Sequence, residues 1–260
     1  MNDTQLLNNG YPMPEVGFGV YKITDEDMPK VIQQAIETGY RAFDTAYFYG
    51  NEASLGQALK NSGVPREELF ITSKVWNDHQ GYEQTKAYFQ RSLDNMGLDY
   101  FDLFLIHWPC EQNGRYIETY KALEDLYHEG KVKAIGVCNF KIHHLEKLMQ
   151  ETNIVPQINQ IELHPYFNQQ DVQDFCDKHD ITVTAWMPLM RNRGLLDDPT
   201  IQHIAQQHDK TPAQIVLRWH LAHNRIIIPK SQTPSRIKEN FDLFNFNLEL
   251  AEIAEIDSLN

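Results

Sequence analysis

Short apolar, β-rich runs recur along the chain at residues 16–20, 40–44, 69–75, 102–108, 132–138, 157–163, 181–187 and 226–230. Between them the apolar period lengthens to that of a helix. Met28, Val31, Ile32, Ala35 and Ile36 share one helical face, with Thr24 and Asp27 as a capping-box-like start and Gly39 as the stop. Similar signals predict helices over 51–62, 82–96, 116–128, 143–150, 170–178, 211–222 and 234–241. Eight strands alternating with eight helices imply parallel pairing through right-handed crossovers, and at this length closure into a single (β/α)8 barrel is favoured. The rival is a doubly wound open sheet, which normally carries GxGxxG after its first strand. Gly17-Phe18-Gly19 lacks the third glycine, and Val20-Tyr21-Lys22 opens no helix.

A length of 260 residues suits one barrel over 1–260, and no linker or low-complexity run marks a boundary. Apolar stretches such as 101–109 fall short of the roughly 18 residues of a membrane span. The start, Met1-Asn2-Asp3-Thr4-Gln5, lacks the basic flank and apolar run of a secretory signal, so a cytoplasmic location is expected. Cys110, Cys138 and Cys176 form neither a CxxC pair nor an even framework, which argues against disulfides and favours reduced thiols; no metal site is expected. A net charge of -13 disfavours nucleic-acid and anionic-membrane partners. It also requires any anionic cofactor to be held by local positive charge.

In such barrels chemistry gathers at the C-terminal strand ends. Asp44 and Tyr49 follow the second predicted strand, Lys74 ends the third and His107 the fourth. Asn139 follows the fifth, Gln160 lies in the sixth, Trp186 ends the seventh, and Lys230 with Ser231 follows the eighth. Each alone has a plain structural explanation: Asp44 can cap a loop, Lys74 can be a solvated strand end, and His107 can be a core histidine. Together, Asp44, Tyr49, Lys74 and His107 form a coherent proton-transfer group. An ammonium near a phenol favours the phenolate and lowers the phenol pKa from about 10, and a carboxylate holds the ammonium charged and aimed.

At these residues the chain resembles the aldo-keto reductase family, nearest its bacterial branch of 2,5-diketo-gluconate and methylglyoxal reductases. The resemblance rests on Gly39-Tyr40-Arg41-Ala42-Phe43-Asp44-Thr45-Ala46 with Tyr49-Gly50-Asn51-Glu52, and on Ile71-Thr72-Ser73-Lys74-Val75-Trp76. It continues through Leu105-Ile106-His107-Trp108-Pro109, Ile135-Gly136-Val137-Cys138-Asn139-Phe140, Asn159-Gln160-Ile161-Glu162-Leu163-His164-Pro165 and Ile228-Pro229-Lys230-Ser231. It implies that Asp44, Tyr49, Lys74 and His107 are a catalytic tetrad and that Cys138, Asn139 and Gln160 face a nicotinamide carboxamide. Trp186 would stack on the nicotinamide ring. Lys230, Ser231 and Arg236 would hold the 2'-phosphate of NADPH, with Asn240 on the adenine; Arg236 could equally stack on the adenine. Two departures stand out. Cysteine replaces the frequent serine at position 138, a weaker hydrogen-bond partner. The sequence stops at Ser258-Leu259-Asn260, where many relatives continue into a tail over the substrate, so an open pocket is expected.

The implied reaction is reduction of a small-molecule carbonyl, with Tyr49 as proton donor, in a protein expected to be a monomer. Phe48, Trp76 and Trp108 flank the tetrad in sequence and, with His107, are expected to line an apolar vestibule. Apolar walls discriminate by only about 1–3 kcal/mol per methylene, so small aldehydes, α-dicarbonyls and activated ketones are all expected substrates, extending to diketo-sugar acids. Two rivals remain at this stage: an NADPH-binding regulatory or structural barrel with little turnover, and a barrel lyase or isomerase.

Overall fold

In the computed structural model, residues 3–260 are described, so Met1 and Asn2 of the N-terminal stretch read above for an export signal lie outside the described residues. An antiparallel hairpin, β1 (Thr4–Leu6) and β2 (Pro12–Pro14), precedes the main sheet. That sheet runs β3 (Gly17–Gly19), β4 (Ala42–Asp44), β5 (Phe70–Val75), β6 (Phe101–Ile106), β7 (Val132–Cys138), β8 (Ile158–Glu162), β9 (Thr182–Trp186) and β10 (Ile226–Ile227). The strands pair in parallel, each with the next in sequence. Closure comes from a parallel bridge between Val16 and Ile227, supported by Ile227 N–H to Glu15 O at 2.9 Å and Gly19 N–H to Pro229 O at 3.1 Å. The eight predicted strands therefore form the expected (β/α)8 barrel. The last is shorter than its apolar run, because Pro229 offers no N–H to extend a ladder.

Helices α1 (Met28–Thr38), α2 (Glu52–Asn61), α3 (Tyr82–Met96), α4 (Tyr116–His128), α5 (Ile142–Glu151), α6 (Gln170–Lys178), α7 (Pro199–His208), α8 (Pro212–Ala222), α9 (Pro234–Glu239) and α10 (Leu250–Asp257) accompany the strands. Gly39 ends α1 at φ 121°, a conformation closed to most side chains, as its position in the pattern predicts. The expected Thr24 start needs correction. Thr24 Oγ1 accepts from Asp27 N–H and donates to Asp27 Oδ2, so Thr24 closes the turn before the helix while Asp27 takes the N-cap position. The expected 234–241 helix stops at Glu239, and Phe241 turns back onto the Tyr40 ring, 4.6 Å between centroids.

Two apolar layers hold this together. The larger lies between strands and helices and includes Phe18, Phe43, Phe104 and Trp219. The smaller joins Ala42, Phe70, Leu103, Ala134, Ile158 and Ile226 to Leu7 and Met13, so the hairpin segment covers the end where the strands begin. The opposite mouth, where the strands end, is left for polar side chains. Among the described residues no helix is long and apolar enough to cross a membrane.

Candidate functional site

At that mouth Lys74 is almost fully enclosed, and its ammonium donates to Asp44 Oδ1 at 2.5 Å and to the Thr45 carbonyl at 2.8 Å. The Gln160 side-chain amide donates to Asp44 Oδ2 at 2.9 Å, so each oxygen of the buried carboxylate has a partner. Asp44 ends β4 and Lys74 lies one residue before the end of β5, adjacent in the parallel sheet, which lets one short and one long side chain meet. The loop after β4 is tied down by Thr45 Oγ1 donating to Asn51 Oδ1, while Asn51 Nδ2 donates to the Val20 carbonyl. Tyr49 ends a 3-10 turn whose left-handed exit falls on Gly50. Its ring centroid lies 5.4 Å from Lys74 Nζ and 5.8 Å from the His107 ring.

These surroundings set the protonation states. Asp44 and Tyr49 raise the Lys74 pKa against the opposing effect of burial, so the ammonium is held charged. Burial pushes the Tyr49 phenol up to about 12; Lys74 pulls it down, but by less. The Lys74 effect expected from sequence is thus present in sign but outweighed, and the phenol of the cofactor-free protein stays protonated at neutral pH. Burial and the neighbouring Lys74 charge lower His107 to about 3, so its imidazole is neutral over the physiological range. Burial raises the Cys138 thiol above its ordinary value.

A cavity of about 510 Å³ opens over this group. It is lined by Asp44, Tyr49, His107, Cys138, Asn139, Gln160 and Trp186, by Phe48, Trp76 and Trp108, and by Lys230. Phe48 stacks on Trp76, 3.8 Å between centroids at 18°, and Trp76 meets His107 edge-on at 5.1 Å. Phe48 and Trp108 are exposed. Lys230 Nζ donates to the neutral Gln232 side chain at 3.2 Å and has no ion pair among the described residues. Ser231, Arg236 and Asn240 do not line this cavity. Ser231 and Asn240 are buried, and Arg236 is exposed on α9, just beyond Lys230.

The sequence reading passed over Tyr21, Lys22 and Arg191, which also line the cavity. The Tyr21 ring lies 4.9 Å from that of Tyr49, with Lys22 and Arg191 within 6 Å of it. Tyr21 and Lys22 lie two and three residues past the end of β3, so their place near a strand end is the available signal. Lys22, Arg191 and Lys230 together concentrate positive charge at the mouth of an acidic protein.

Glu111, His143 and His144 form a separate cluster whose ligand atoms lie within 4.8 Å of one another. The Lys141 N–H donates to His144 Nδ1 at 2.9 Å, which places the neutral ring's proton on Nε2, 2.5 Å from Glu111 Oε1. In that state Nε2 has no lone pair for an ion. The cluster instead joins the Glu111–Asn113 turn to α5.

The model of the aldo/keto reductase family matches residues 15–260. Glyoxal reductase of Bacillus subtilis is 48% identical over 261 residues, covering 100% of this chain and 94% of the relative. Methylglyoxal reductase DkgA of Escherichia coli O157:H7 is 47% identical over 255 residues, covering 98% and 92%. A crystal structure of a Gox0644 mutant in complex with NADPH superposes with a TM-score of 0.96 at 41% identity, covering 100% of this chain and 94% of that one. The chain belongs to the aldo/keto reductase family, as the sequence motifs implied, and with it to the oxidoreductases.

The pairing of Lys74 with Asp44 is testable by unfolding. Lys74→Met leaves the Asp44 carboxylate enclosed without a counter-charge and is expected to cost about 3–5 kcal/mol in urea denaturation. Adding Asp44→Asn removes the stranded charge, so the double variant is expected to recover much of that loss. A double variant less stable than Lys74→Met would show that the pair is not coupled.

Proposed function

We propose that this chain is an NADPH-dependent reductase of small aldehydes, α-dicarbonyls and activated ketones, with Tyr49 as proton donor. The observation that carries the reading is the charged, buried Lys74–Asp44 pair next to a protonated Tyr49, at a cavity that Lys230 also lines. That cavity suits a dinucleotide: its lining offers amides at Asn139 and Gln160, an indole at Trp186 and a cation at Lys230. The NADPH complex of the similar structure supports the same choice. When bound, NADPH supplies the hydride that reduces the carbonyl carbon.

The chain's own residues handle the oxygen. The neutral His107 donates an N–H to the carbonyl oxygen and so places it beside Tyr49. The Tyr49 hydroxyl gives its proton to that oxygen as negative charge develops there. The resulting phenolate is stabilised by the adjacent Lys74 ammonium, which Asp44 keeps protonated, until solvent returns the proton. A phenol held near 12 keeps its proton throughout the neutral range, so the acid form that reduction requires is the populated one. Phe48, Trp76 and Trp108 form the outer wall and offer contact area without demanding particular polar groups, which favours breadth over selectivity. The names of the glyoxal and methylglyoxal reductase relatives support α-dicarbonyls among the substrates.

Tyr49→Phe is expected to lower kcat for methylglyoxal about 10²–10⁴-fold, the usual share of a positioned acid, while the NADPH dissociation constant moves by less than about twofold. Near-parental kcat in the variant would remove Tyr49 from the role. Cofactor choice has its own check in calorimetric titration. Charge-assisted bonds are worth roughly 1.5–3 kcal/mol each, so Lys230→Ala with Arg236→Ala is expected to weaken NADPH at least about 100-fold. NADH binding should barely change. Equal affinity of the unaltered protein for the two cofactors would contradict the assigned preference.

A further inference from the structure

Asn139 follows β7 directly and has a left-handed backbone at φ 61°. Its N–H donates to the Gln160 carbonyl at 3.0 Å, which carries the β7–β8 pairing one residue past Cys138. Its side chain is gripped from two sides. The Trp186 indole Nε1–H donates to Asn139 Oδ1 at 2.8 Å, and Asn139 Nδ2 donates to the His107 carbonyl at 3.1 Å. The indole N–H can only donate and the main-chain carbonyl can only accept. Turning the amide over would therefore set two donors against each other at one end and two acceptors at the other. The amide has one stable orientation, and the indole plane is held by the same bond. The chain of bonds crosses the mouth from β9 to the residue that follows β6.

We infer that Trp186 is a positioning residue, whose indole N–H fixes the Asn139 amide and through it ties the aromatic face of the cavity to the His107 main chain. The inference rests on the cofactor reading above. After both bonds, Asn139 keeps one Nδ2 hydrogen and one Oδ1 lone pair for a ligand. Both point in directions set before any ligand arrives. A primary amide carried on an aromatic ring, the nicotinamide end of the cofactor, is the chemistry that uses a fixed amide beside a fixed ring. Phenylalanine at position 186 would keep a ring face but supply no donor to Oδ1, which would leave the Asn139 amide held from one side only, by the His107 carbonyl. Indole stacking and amide orientation are therefore separable.

Calorimetric titration of NADPH and NADH into the full chain, into Trp186→Phe, into Asn139→Ala and into the double variant tests this. Losing the fixed amide is expected to weaken both cofactors alike, roughly 3- to 10-fold in Trp186→Phe, the range of one neutral hydrogen bond. The nicotinamide end is common to both cofactors, so the ratio of their dissociation constants should stay put. The losses in Trp186→Phe and Asn139→Ala should be strongly non-additive, with the double variant no worse than about twofold below the weaker single one. A merely structural role for the indole would instead give additive losses and a lowered melting temperature in the variant. NADPH binding by the unaltered protein together with unchanged binding in Trp186→Phe, or additive losses, would overturn the positioning role and leave the cofactor reading standing. Absence of NADPH binding by the unaltered protein would overturn both.

Discussion

A lysine ammonium enclosed at the end of a barrel strand is the constraint on which the site depends. Removing an ion from water carries a penalty of several kcal/mol, and the structure offsets it with a carboxylate at 2.5 Å and a main-chain carbonyl at 2.8 Å. The carboxylate in turn needs its second oxygen satisfied, and Gln160, from the far side of the mouth, supplies that bond. Asp44, Lys74 and Gln160 come from β4, β5 and β8, so the pair holds only when the barrel is closed and in register. Fold and site are coupled through this one group of side chains.

The same enclosure decides the protonation of the neighbours. Seen from composition alone, lysine beside tyrosine suggests a phenol made more acidic. The structure shows the competition: Lys74 acts in that direction, and loss of water around Tyr49 acts more strongly in the other. Burial and Lys74 act together on His107, both against a second positive charge, so it remains neutral. The outcome, among Lys74, Tyr49 and His107, is one permanent cation, one protonated phenol and one neutral imidazole. This division of states suits donation of a proton to an oxygen and leaves the cation as the stabiliser of what remains on Tyr49.

Much of this was legible in the chain because strand ends are marked by sequence. The barrel rule places polar residues after apolar runs at one mouth, and Asp44, Tyr49, Lys74, His107, Asn139, Gln160, Trp186 and Lys230 all line the cavity or its floor. Tyr21 and Lys22 obey the same rule, but the strand before them is short and its visible signal is the glycine pair Gly17 and Gly19. Helix α7 also carried a clear start, with Asp198 accepting from the Thr200 and Ile201 N–H groups ahead of Pro199, and an apolar face at Ile201, Ile204 and Ala205. One helix per crossover left no room for it in the pattern. The hairpin was hidden for a different reason: Pro12 and Pro14 interrupt strand periodicity, and its pairing is visible only in three dimensions. Side-chain orientation, such as the two-sided grip on Asn139, has no sequence signature at all.

The protonation state of Tyr49 tests the account most directly. Ultraviolet difference titration of the cofactor-free protein against Tyr49→Phe isolates the ionisation of this one phenol among the twelve tyrosines. The account predicts that the difference signal stays silent through neutral pH and rises only toward about 12. A phenolate appearing below about pH 9, under the ordinary tyrosine value of about 10, would contradict it and would mean that Lys74, rather than burial, governs the site.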